Sequence, residues 1–69
     1  MSDANDTRDK FIGALATLLQ ANRDGGASLR LRSELAKARA DAVKLLNTKQ
    51  YDAAVFDAFK SAGWRIFGR

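Results

Sequence analysis

Leu31, Leu35, Ala38, Ala42 and Leu45 recur at steps of four, three, four and three, the spacing of a single seam along a helix. Leu46 widens the seam, while Arg30, Glu34, Lys37, Asp41 and Lys44 fall on the opposite side. Two alanines in the middle of the seam leave room for another helix backbone to come close. The segment from Leu31 to Leu46 is therefore expected to be the central helix. The rest of the chain, or a second copy of it, would pack against this seam.

A chain of 69 residues buries only about 60% of the surface its unfolded form exposes. It holds neither Cys nor His, so neither a disulfide nor an ordinary zinc site can supply the missing stability. Well-packed helices or association with another chain are the remaining remedies, and a homodimer is expected. The absence of Cys suits a reducing cytoplasm. The first twenty residues carry acids rather than a basic start and an apolar core, so no secretory leader is expected. Phe11 to Leu19, the longest apolar stretch, is interrupted by Gly13 and Thr17 and is far short of a membrane span. These features point to a soluble cytoplasmic protein that needs no cofactor.

Along the chain, residues 1–6 are expected to be a frayed N-terminus, with Asp6 and Thr7 as candidate N-caps. Phe11, Ile12, Leu15, Leu18 and Leu19 then form one broad apolar face of a helix over about residues 7–23. Arg23-Asp24-Gly25-Gly26 reads as its end, because glycine permits the left-handed conformation that commonly terminates a helix. Ser28 offers an N-cap for a second helix from about Leu29 to Leu46. So short a connection favours an antiparallel helical hairpin. Thr48 can cap a third helix whose apolar face is Tyr51, Val55, Ala58, Phe59 and Ala62, stopping at Gly63. The tail 64–69 is apolar and basic at once. The expected fold is all-α: one domain over residues 1–69, a hairpin plus a third helix, paired as a homodimeric bundle through the seam.

Lys44 to Ala62, with Tyr51-Asp52-Ala53-Ala54 and Phe59 three residues before Ala62, is similar to one turn-and-helix piece of a tetratricopeptide repeat. The similarity covers about a quarter of the chain, and the preceding Trp and Gly positions of that repeat are missing. With one copy where a solenoid needs about three, the resemblance implies hairpin packing here and nothing further.

Catalysis has little to work with. His and Cys are absent, and Ser28, Ser33 and Ser61 have no base beside them in sequence. Gly25-Gly26 lacks the Lys and spacing of a phosphate loop. The charge distribution is more informative. Residues 28–50 hold Arg30, Arg32, Lys37, Arg39, Lys44 and Lys49 against only Glu34 and Asp41. Arg32 and Arg39, seven residues apart, share a flank with no acid of the same helix beside them, although Asp52 or Asp57 could reach them. Trp, Tyr and Arg most often dominate interface energy, and the C-terminal end concentrates Trp64 and Arg65 near Phe56 and Tyr51.

The leading expectation is a small non-catalytic regulator or inhibitor. It would occlude a larger protein through Arg32, Arg39, Phe56, Trp64 and Arg65. Stand-alone helical proteins of this kind are frequent among phage, plasmid and bacterial regulators, an analogy of size and class. The alternative is a nucleic-acid-binding dimer, helix-turn-helix-like or non-specific, with Arg30, Arg32, Lys37, Arg39 and Lys44 on phosphates.

Overall fold

A computed structural model describes residues 3–63, which form three α-helices and no strand. They are α1 (Asp3–Arg23), α2 (Leu29–Leu45) and α3 (Thr48–Ser61). The tail 64–69, with Trp64 and Arg65, lies outside the described residues, as do Met1 and Ser2.

The breaks between the helices follow from local chemistry. α1 ends where Gly25 and Gly26 take positive φ, and the Gly26 N–H reaches back to the Ala21 carbonyl at 2.8 Å. That bond satisfies one of the carbonyls a helix end leaves open. Ser28 caps α2, its hydroxyl accepting from the Leu31 N–H at 3.2 Å. Leu46 and Asn47 make the corner into α3, and both have extended backbone. Asn47, not Thr48, is the cap of α3. Its side chain accepts from the Gln50 N–H at 2.8 Å, and the Gln50 side chain accepts from the Asn47 N–H at 3.0 Å. This reciprocal pair is a capping box, which satisfies two orphan donors together.

The N-terminus also differs from expectation. Residues 3–6 are helical, not frayed, and α1 begins ahead of Asp6 and Thr7. Ala4 packs against the core, and Asp3 and Asp6 place negative charge in the first turn, where the helix dipole favours it.

The largest correction concerns the centre of the fold. α1 packs against both α2 and α3, whereas α2 and α3 have little contact with each other. α1 therefore holds the central place expected of α2, and the hairpin packing implied for Lys44 to Ala62 is not formed. Phe11 explains the exchange. It is the one large side chain wholly buried among the described residues, and it lies in a cluster with Ala42, Leu46 and Ala54. A phenyl ring from α1 fills the space that small residues on the other two helices leave. Ile12, Leu15, Leu35, Ala38, Tyr51 and Val55 are half-buried around it.

The seam of α2 is accordingly used within the chain. Ala42 is buried, Leu35 and Ala38 border the core and Leu31 is half-buried. Leu45 does not belong to it: 48% of Leu45 is exposed, while Leu46 is 8% exposed. A strict seven-residue repeat drifts by about 20° per heptad on a straight helix, which carries Leu45 off the seam, while Leu46, four residues after Ala42, stays on it as expected.

Candidate functional interface on α2 and α3

The cations of α2 divide between the two sides of its buried seam. Arg30, Glu34, Lys37, Asp41 and Lys44 keep one side, and there Glu34, Lys37, Ala38 and Asp41 border α1 at Lys10 and Ala14. On this side Arg30 Nε lies 3.4 Å from a Glu34 carboxylate oxygen. Lys37 and Lys44 make no ion pair among the described residues, so of the alternating charges on this side only Arg30 and Glu34 meet.

Arg32 and Arg39 take the other side, and from there Arg39 reaches α3. Neither meets a carboxylate among the described residues, so the possible pairing with Asp52 or Asp57 does not occur. Arg39 Nε instead donates to the Tyr51 hydroxyl at 3.3 Å. Arg39, Val43, Leu46, Thr48 and Tyr51 together line an open cleft of about 270 Å³ between α2 and α3. Because Tyr51 is also stacked on Phe11, the wall of this cleft is anchored in the core.

Two apolar residues complete this side: Val43, which the spacing already sets beside Arg32 and Arg39, and Leu29, which sequence reasoning did not single out. Leu29 is 82% exposed and Val43 is 61% exposed. Leu29, Arg32, Ala36, Arg39 and Val43 follow one another at steps of three, four, three and four, and all five are exposed. That is a second stripe at helical spacing, parallel to the buried seam and facing water. Its signal was present in the spacing, but the seam with more leucines masked it.

Phe56 is not brought to the arginines. It sits on the outer side of α3, 47% exposed, with Lys60 Nζ 5.7 Å from the ring centroid. Tyr51, Asp52, Val55, Phe56 and Phe59 line a separate, shallow apolar groove. Of the five residues expected to bind a partner, Arg32 and Arg39 share a face and Phe56 occupies another. Trp64 and Arg65 fall outside the described residues.

Two further polar side chains serve the fold. Arg23 Nη1 donates to the Ala62 carbonyl at 2.7 Å, joining the end of α1 to the end of α3. All eight carboxylates are exposed. Ser28 is committed to its cap. Among the described residues no cluster of carboxylates is arranged to hold a metal ion, and no helix is long and apolar enough to cross a membrane. No family model, curated protein or solved structure matches this chain.

Proposed function

We propose that this protein is a non-catalytic binding module that occludes an acidic, amphipathic segment of a larger protein. In this reading α1 and α2 form an antiparallel hairpin, and the outward stripe of α2 with the adjoining cleft receives the partner. Arg32 and Arg39 supply guanidinium forks suited to carboxylates, and Leu29 and Val43 supply apolar contact on either side of them. The observation that carries the reading is the stripe itself: two arginines with no carboxylate partner among the described residues, set between exposed apolar residues at helical spacing. Such a face matches a helix of opposite charge laid along it.

The nucleic-acid alternative asks Arg30, Arg32, Lys37, Arg39 and Lys44 to meet phosphates together. Their division between two sides of α2, with Glu34 and Asp41 interleaved on one, weakens it. A single experiment separates the two readings. The tagged protein and an Arg32→Glu/Arg39→Glu variant are used for capture from host lysate, with and without nuclease, and titrated with random duplex DNA and RNA at low salt. One dominant protein, captured despite nuclease and lost with the variant, supports the module. Nuclease-sensitive capture, or duplex binding that collapses as salt rises from about 50 to 200 mM, supports the alternative. Recovery equal for both proteins overturns the assignment of this face.

A further inference from the structure

The outer side of α3 carries a pattern that is complementary to itself. Phe56 stands at its centre, and Asp52 and Lys60 stand four residues before and four residues after it. All three are exposed, and they lie on the side of α3 away from its buried contacts, Ala54 and Ala58. Val55 and Phe59 border the same groove. Asp52 and Lys60 belong to no ion pair among the described residues. About 12 Å of helix rise separates them, too far for them to meet within one chain.

We infer that this face pairs with a second copy of the chain, α3 against α3 in antiparallel orientation about a two-fold axis at Phe56. In that arrangement Phe56 meets Phe56 of the other copy. Asp52 of each copy then faces Lys60 of the other, so two ion pairs flank an aromatic centre. A two-fold interface requires one patch to be its own complement, and opposite charges equidistant from a central ring meet that requirement. Charge also selects the register. Sliding one helix by a turn would leave all four charged groups without opposite partners. The buried seam of α2 is occupied by α1, so the copy-to-copy contact expected from the chain's small core moves to α3. Arg32 and Arg39 lie elsewhere, so this inference does not depend on the reading of the α2 stripe.

The test is sedimentation equilibrium of the full chain from about 1 µM to 1 mM, spanning affinities of a single helix pair. The wild-type mass is expected to rise from monomer to dimer. Asp52→Lys turns both ion pairs into repulsions, and so does Lys60→Asp. Each should weaken dimerisation by about tenfold or more with helicity unchanged. Mixing these two variants in equal amounts restores opposite charges at both positions, and heterodimers are expected at wild-type strength. A wild-type protein that stays monomeric throughout overturns the inference. So does either single variant dimerising as the wild type does, or a mixture that fails to pair. Phe56→Asp should also give a monomer; should it lose helicity, the mixed charge variants decide the matter.

Discussion

The ring of Tyr51 lies stacked on the ring of Phe11, with centroids 5.1 Å apart and planes inclined at 29°. The same tyrosine accepts a hydrogen bond from Arg39. One side chain thus joins α1, α2 and α3 where the latter two have little contact of their own. Replacing Tyr51 by Phe keeps the ring and removes the hydroxyl. Thermal and urea unfolding should show a loss of at most about 1 kcal/mol, since the Arg39 bond is exposed. Tyr51→Ala removes the stacking as well and should cost about 2–4 kcal/mol.

Phe11→Ala deletes the one large side chain wholly buried among the described residues. The expected loss is about 3–5 kcal/mol, comparable to the whole stability of a domain this size. Far-UV circular dichroism in dilute buffer should show most of the helical signal gone at room temperature. A variant that melts like the wild type would mean that the helices are held by something other than this ring.

Leu45 and Leu46 make a paired comparison. Leu46→Ala opens a gap in the core and should destabilise by about 2–4 kcal/mol in urea unfolding. Leu45→Ala, at a half-exposed position, should cost less than about 1 kcal/mol. Equal costs would contradict the assignment of Leu46 to the interior.

Asn47→Ala removes the side chain that starts α3 and leaves Gln50 without its reciprocal partner. Unfolding free energy should fall by about 1 kcal/mol. Amide exchange should accelerate first at residues 48–51, the turn that the capping box secures.

How much could be read in advance depended on the range of the interaction concerned. Ser28 capping α2 and the glycine stop after Arg23 were legible because each is settled within a few residues. The cap at Asn47 was missed although Gln50 stands three residues on, because Thr48 beside it is also a capping type. The place of α1 was not legible. Its apolar face and that of α2 have the same period, and which helix lies between the others depends on the angle set at Leu46 and Asn47. The α2 stripe shows the same limit. Leu29 and Val43 resemble core residues by type, and only the packing of α1 on the opposite side leaves them in water. That Arg39 would meet a phenol and not Asp52 or Asp57 likewise follows from helix placement.

Because α2 and α3 have little contact of their own, their mutual angle is set by α1 and by the corner at Leu46 and Asn47. Each arm is clasped by α1, yet hardly any backbone braces one arm against the other. Weakening α1 should therefore loosen both arms at once, and the three helices are expected to unfold in a single cooperative step.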